Sequence, residues 1–318
     1  MSAHSPDGYL ALLRMRGQRT LLVEGRADRD FCRRLVAELS RTRRLGTGRI
    51  LIDMADNVRG GGCPAGARER VEYVHSRTRG RGYAFAGLVD REYRRFRLHP
   101  DVVDEIGGHL VLDDSLFWTR GHSVENYLMT PGAALAFIRV WLPRLMTASL
   151  EEEVSAVFED VMTWTASVCI SLHEHGVLGR ASGAVTPAMW IEVKQRSVRF
   201  DTPQFTQVLM ARGVTIETAE SIRTRAEAAR LAMDSARGSV ESRWLAHGSV
   251  GTEFMWAGIA AIGIGLGAEP NEIEAVATGH IETKARVAAD DWVNRHLPGG
   301  LPADRSEVPR ELIAWLCR

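Results

Sequence analysis

With 318 residues, 45% of them hydrophobic and 25% charged, the chain is long enough for one large domain or two smaller ones and too apolar for intrinsic disorder. A formal net charge of +0 supplies no global field toward nucleic acid or membranes, although residues 1–130 hold 22 Arg against 17 Asp+Glu and the remainder 18 Lys+Arg against 23 Asp+Glu. Lys194 and Lys284 are the only lysines, so cationic chemistry falls to arginine, the better fork for phosphate; a GC-rich genome accounts for the same bias.

In chain order, Tyr9 to Arg16 reads as a short amphipathic helix. RTLLVEGRADRDFCRR, from Arg19 to Arg34, then joins Leu21, Leu22 and Val23 to a carboxylate, a glycine and a run of helix formers. That is the pattern of a buried strand, a tight turn and a helix. Glu24 falls at the carboxyl end of the strand, where open α/β sheets present groups to a crevice, and Gly25 is read as the residue that lets the backbone turn beside it. The helix carries Phe31, Leu35, Val36 and Leu39 at core-facing spacing and ends before Gly46 and Gly48. Arg49 to Met54 forms a second strand, Asp56 to Gly66 a glycine-rich loop containing Pro64, Ala67 to Arg77 a helix, and Tyr83 to Val89 a third strand closing on Asp90. His109 to Leu112 and Ser115 to Thr119 are two further short strands. After Tyr127, long helical periods take over at Ala133 to Leu145, Leu150 to His173, Ile216 to Ala236 and Glu272 to Asn294, with Pro131 and Pro143 punctuating the change. Alternating strands and helices imply a parallel sheet covered by helices. The expected organisation is an α/β domain over residues 1–130 and a mainly helical domain over 131–318.

Cys32, Cys63, Cys169 and Cys317 show no paired C-x-x-C spacing, so neither a zinc site nor a disulfide framework is indicated, and a cytoplasmic location fits. The segment MSAHSPDGYL lacks a charged-then-apolar signal pattern. The longest uncharged run, Phe254 to Ala268, is shorter than the roughly 20 residues of a membrane helix and reads as a buried helix whose glycines serve close packing.

The chemistry concentrates in acids. Asp90 and Glu92 stand two apart in LVDREY, and along a continued strand both carboxylates point one way while Arg91 points the other. With Glu24 at the end of an earlier strand, three carboxylates converge at one sheet edge in this reading and hold Mg²⁺, a hard ion that prefers oxygen ligands. Such a site suits phosphoester hydrolysis. The competing reading pairs the same acids with Arg26, Arg29, Arg94 and Arg95 on the surface. Farther on, HSVENYL places Glu125 and Asn126 beside Tyr127 at a helix start, where Ser123 serves as N-cap.

Taken together, LLVEG with Asp28, then LVDRE, then SVENYL resemble the Toprim domain in the variant found in the DUF4435 family, which is similar to the overcoming-lysogenization-defect nucleases and includes the nuclease subunit of PARIS-type anti-phage systems. The resemblance covers roughly residues 15–130. It implies that Glu24 is the acid of the first Toprim motif and that Asp90 and Glu92 are the acidic pair of the second, glutamate replacing the more usual second aspartate. By the same resemblance Glu125 and Asn126 match the family's ENY segment near the metal, with Glu125 among the catalytic residues, and Asp28 positions the first helix or a metal-bound water. The implied activity is Mg²⁺-dependent (or Mn²⁺-dependent) hydrolysis of tRNA or DNA by an activated water, in an anti-phage effector controlled by an ATPase partner. A homodimer is compatible with this reading, and no membrane is involved.

Two features depart from the family pattern. The lysine that related nucleases keep near the metals has no match at Lys194 or Lys284, and RWLAHGSVGTEF offers Arg243, His247 or Ser249 where a basic or polar group acts, with His247 the supporting candidate. Arg91, Arg94, Arg95 and Arg97 are the candidate nucleic-acid contacts; with Arg77, Arg79 and Arg81 they flank the third strand among Tyr73, Tyr83, Tyr93 and Phe96, a pattern that suits a backbone with stacked bases and equally a solvated loop whose arginines balance the nearby acids. The amides of Gly60 to Gly62 are a second candidate for a phosphate approach. No G-x-x-x-x-G-K-[ST] is present, so ATP hydrolysis belongs to a partner. Two alternatives remain: a catalytically silent Toprim-like binding module, and topoisomerase or primase chemistry, for which scattered cysteines and the modest length are a poor fit.

Overall fold

A computed structural model describes residues 3–42, 44–45, 49–194, 197–235, 240–297, 307 and 309–318. In chain order the elements are α1 (Pro6–Arg16), β1 (Arg19–Val23), α2 (Arg26–Arg41), β2 (Ile50–Met54), α3 (Ala67–Thr78), β3 (Phe85–Val89), β4 (Phe96–Arg97), β5 (Val103–Asp104), β6 (Val111–Leu112), β7 (Leu116–Trp118), α4 (Glu125–Leu128), α5 (Pro131–Trp141) and α6 (Ala148–Glu174). They continue as α7 (Leu178–Ala181), β8 (Trp190–Lys194), β9 (Ser197–Phe200), α8 (Thr202–Ala211), α9 (Ile216–Ser235), α10 (Gly248–Gly265), α11 (Pro270–Ala277), α12 (Ile281–His296) and α13 (Arg310–Cys317). Gly46, Gly48 and Ala236, which the sequence reading placed at helix ends, lie outside the described residues. Among the described residues no helix is long and apolar enough to cross a membrane.

The chain divides into two compact units that do not follow a single cut at residue 130. The first comprises residues 1–91, 106–124 and 293–318, and the second residues 92–105 and 125–292. Side-chain anchors account for the exchanged segments. Within the second unit the Tyr93 hydroxyl donates to Leu245 O at 3.1 Å and Arg225 Nη2 donates to Leu98 O at 2.7 Å, so residues 92–105 belong with helices far along the chain. Within the first, Arg19 Nη1 donates to Trp315 O at 2.8 Å, which ties α13 to β1.

The first unit is an α/β sheet of order β2-β1-β3-β7-β6, parallel except for the β6–β7 pair. Strand β3 is buried at every position, the continuous apolar run expected of a parallel strand covered on both faces. Helix α2 buries Phe31, Cys32, Leu35 and Leu39, an i, i+1, i+4, i+8 stripe; Cys32 takes the core place expected for Val36, which is half-buried. The short strands 111–112 and 116–118 form a hairpin across the three residues 113–115, where Asp113 (φ 52°) and Asp114 (φ 57°) both adopt the left-handed conformation that reverses the chain. Tyr9, Val71, Val74, Phe85, Val89 and Leu116 close the core on one side of the sheet. The Tyr9 hydroxyl donates to Asp53 Oδ2 at 2.9 Å, and Arg16 pairs with the same buried carboxylate at 2.5 Å, so the acid in β2 is compensated.

Gly87 matters here for space. A Cβ at that point in β3 would come within 2.7 Å of Val71 Cγ1 and 2.9 Å of Leu116 Cδ1. Gly87→Ala is therefore expected to cost about 1–3 kcal/mol by overpacking, read as a lowered urea midpoint with an unchanged m-value.

The second unit is mainly helical, with its core built by α5, α6, α8, α9 and α10. The apolar run does form a buried helix, and Gly258 serves close packing: a Cβ there would meet Val161 Cγ1 at 2.8 Å and the Trp190 ring at 3.3 Å. The single helix expected over Glu272 to Asn294 is instead two, α11 and α12. Gly279 and the left-handed His280 (φ 57°) break it, and the Gly279 N–H bonds back to Glu274 O at 3.2 Å, a helix-closing contact. The antiparallel β8–β9 ribbon was not read from the sequence, since WIEVK lacks clean alternation.

Candidate functional site

The strand order places two acids at one edge of the first unit. Strand β1 pairs in parallel with β2 on one side and β3 on the other, so the chain leaves β1 outward to β2 and returns across it to β3. Right-handed crossovers in opposite directions put α2 and α3 on opposite faces, and the carboxyl ends of β1 and β3 become the place where the topology switches. Glu24 follows Val23 there and Asp90 follows Val89. Glu24 Oε1 accepts the Asp90 N–H at 2.7 Å, so the two strand ends are braced by the first candidate acid itself. Both residues are half-buried.

Gly25 acts otherwise than expected, and Asp28 takes one of its two expected roles. The Gly25 backbone is extended (φ −142°, ψ −168°), a conformation open to any residue, so the turn does not require glycine. Its N–H donates to Asp28 Oδ2 at 2.8 Å. Asp28 thus occupies the third position of α2 and caps its first turn, the helix-positioning role of the two proposed for it. Arg26 and Arg29 both reach Asp30, at 3.7 and 3.1 Å.

The shared direction of Asp90 and Glu92 does not hold as argued. Strand β3 ends at Val89, and Glu92 sits in a turn in the left-handed conformation (φ 53°), so strand alternation no longer relates the two side chains. A left-handed glutamate is a local strain of the kind that gathers at functional sites. Arg91 also departs from its expected role. Fully buried, it donates through Nη1 to Arg120 O at 3.0 Å, and its N–H donates to Thr119 Oγ1 at 2.9 Å, so it braces the first unit instead of facing a nucleic-acid backbone. Tyr93 and Phe96 are likewise buried and unavailable for base stacking. Arg95, paired with Glu105 at 3.5 Å, and Arg97 are exposed, and Arg94 is half-buried.

The second unit gathers the remaining candidates. Glu125 opens α4, and Asn126 beside it is fully buried. The Asn126 amide donates to Arg243 O at 2.5 Å and Ala246 O at 2.9 Å, while the Tyr93 hydroxyl holds Leu245 O, so three side-chain bonds fix the turn that delivers His247 to the start of α10. Asn126 is a brace, its amide hydrogens spent on main chain. Burial lowers the His247 pKa below the usual histidine value; Glu125 and then Glu92 pull it back up, and His173 pushes it down. Glu92, Glu125, His173 and His247 therefore form one electrostatic neighbourhood within this unit. His173, whose ring lies 4.4 Å from that of Tyr93, was missed because nothing distinguishes a histidine in the last turn of a long helix. Asn126→Ala strands two buried carbonyls, and a loss of about 2–4 kcal/mol is expected in chemical denaturation; an unchanged midpoint would show that the turn holds without it.

Among the described residues no group of three or more His, Cys, Asp or Glu is arranged to hold an ion. The Glu24 and Asp90 pair offers hard oxygen donors at a half-buried strand edge, which fits Mg²⁺, an ion commonly held by one or two carboxylates with waters and substrate phosphate completing its shell. No protein-family model matches the chain, and no curated protein matches it. The chemistry therefore rests on these side chains alone.

Proposed function

We propose that the protein is a Mg²⁺-dependent phosphodiester hydrolase acting on nucleic acid, tRNA or DNA, with the sheet unit as a Toprim-like catalytic unit and an ATPase partner as its control. The observation that carries this reading is the placement of Glu24 and Asp90 at the carboxyl ends of adjacent parallel strands, joined by a 2.7 Å hydrogen bond. Both would hold the ion. Bound there, Mg²⁺ supplies Lewis-acid polarisation of a phosphoryl oxygen and lowers the pKa of a water. The Asp90 N–H orients the Glu24 carboxylate, and the Asp28 cap holds the first turn of α2 beside it. Arg95 and Arg97, exposed cations of the second unit, stay candidates for nucleic-acid contact on that unit's own surface. Glu92 and Glu125, in the second unit, are acids whose part is to be read from their own substitutions.

The test is cleavage of plasmid, single-stranded DNA and total tRNA with Mg²⁺ or Mn²⁺, against the same mixture in EDTA. Metal-dependent cutting of one substrate supports the reading and names the substrate. A second reading, a catalytically silent binding module, is favoured by Glu24 spending one oxygen on a main-chain N–H; inertness on every substrate, with and without a candidate ATPase, would select it.

A further inference from the structure

A second constellation lies at the opposite edge of the first unit's sheet, where the amino ends of β3 and β7 meet the end of α3. His75 is buried on the inner side of α3, and its Nε2 lies 3.1 Å from the Ser115 hydroxyl. Ser115 is half-buried and lines a cleft of about 220 Å³ together with Arg79, Tyr83, Asp113, Trp315 and Arg318. A serine that opens on a cleft, with an imidazole behind it at hydrogen-bond distance, is the minimal arrangement of an activated nucleophile.

We propose that Ser115 and His75 form a nucleophile and base pair that hydrolyses short-chain carboxylic esters. The Ser115 Oγ bonds to the ester carbonyl carbon while its proton passes to His75 Nε2. The C–O bond to the leaving alcohol then breaks, and His75 returns the proton to that oxygen. In the second half a water adds to the acyl-serine with His75 as base, the Oγ–acyl bond breaks, and carboxylic acid and free serine are restored. No oxidant or further reactant is consumed.

Burial supports the base role, because it holds the His75 pKa below the usual histidine value and keeps the ring neutral near pH 7; Asp113 acts in the opposite sense and Arg79 in the same sense. Arg79, paired with Asp113 at 2.8 Å, and Arg318 line the same mostly polar cleft as Ser115, with Tyr83 and Trp315 beside them, so the ester it takes is small. From the same position the Ser115 hydroxyl also lies 3.1 Å from Asp113 O, so its proton has two acceptors, and the hydroxyl orientation that donates to His75 is the reactive one.

The experiment is reaction of the full chain with a fluorophosphonate probe in EDTA, in which an Oγ–P bond forms and fluoride leaves, followed by peptide mass mapping and by p-nitrophenyl acetate hydrolysis. We expect an adduct on Ser115 that is absent in Ser115→Ala and forms at least tenfold more slowly in His75→Gln, with ester hydrolysis falling in parallel. Glu24→Gln should change neither, which separates this site from the metal-dependent one. No adduct on Ser115 in a folded protein, or labelling at an unchanged rate in His75→Gln, would overturn the pair. Thermal unfolding of both variants shows whether the fold is intact, and Ser115→Cys, which keeps a nucleophile of similar size, should retain labelling by iodoacetamide in a His75-dependent manner.

Discussion

Glu24→Gln and Asp90→Asn are each expected to abolish metal-dependent cleavage while leaving the fold in place. The Glu24→Gln side chain keeps an amide oxygen that can accept the Asp90 N–H now bonded at 2.7 Å, so the brace between β1 and β3 survives and only the negative charge is lost. Asp90→Asn alters the side chain alone and leaves the backbone N–H at that position free to make the same bond. Removing a charge that holds the ion costs several kcal/mol of transition-state stabilisation, a loss of about 10³-fold at 1.36 kcal/mol per decade. Measured on whichever substrate the wild type cuts, with unfolding midpoints alongside, two inactive but fully folded variants would establish the pair as the ion-binding acids. Cleavage that persists in both would sink the hydrolase reading of this edge. Glu92→Gln and Glu125→Gln belong in the same series. A fall in rate there, with unchanged stability, would assign those second-unit acids a part in the chemistry.

The second large effect concerns Lys284 and runs with pH. Its side chain is 3% exposed, its Nζ donates to Val276 O at 2.6 Å, and the amine lies over the rings of Trp256 and Phe137 at 4.7 and 5.5 Å. It thereby ties α12 to the last turn of α11 across the Gly279–His280 break. Burial pushes its pKa down to about 8 from 10.5. A lysine whose folded pKa is depressed is favoured by folding in its neutral form, so the unfolded chain binds more protons between pH 8 and 10.5 and stability rises through that window. The stabilisation is complete above about pH 10.5 and is lost as pH falls through 8. Discounted for solvent relaxation, the swing is on the order of 2–3 kcal/mol. Lys284→Met, which keeps the length and removes the charge, is expected to be at least as stable as the wild type at about pH 7. The difference between the two should then move toward the wild type as pH rises from 8 to 10.5 in urea titrations. A flat difference would mean that the rings and the Val276 carbonyl hold the amine charged throughout.

How much of this was legible beforehand follows from the range of each interaction. The strands at 19–23, 50–54 and 85–89 announce themselves through the apolar runs LLV, ILI and FAGLV; Glu24 and Asp90 close the first and last of these, whereas Asp53 lies inside its strand, where Tyr9 and Arg16 compensate its charge. Helix α10 and the packing role of Gly258 were readable for the same reason. These features are local, and the chain by itself determined them. The rest depends on partners that no local pattern names. Arg91 looks like a surface cation until Arg120 O claims its guanidinium; Glu92 looks like a strand residue until the chain turns left-handed at that point. Asn126 looks like a ligand, yet its amide bonds to carbonyls 117 and 120 residues away, and His247 gains Glu92, Glu125 and His173 as neighbours only through that turn. The segment 92–105 joins the helical unit and residues 293–318 the sheet unit through similarly long-range anchors. Hydrophobic periodicity reports which face of an element is buried, whereas the identity of what buries it, and hence the state of each buried charge, is decided only when distant segments pack.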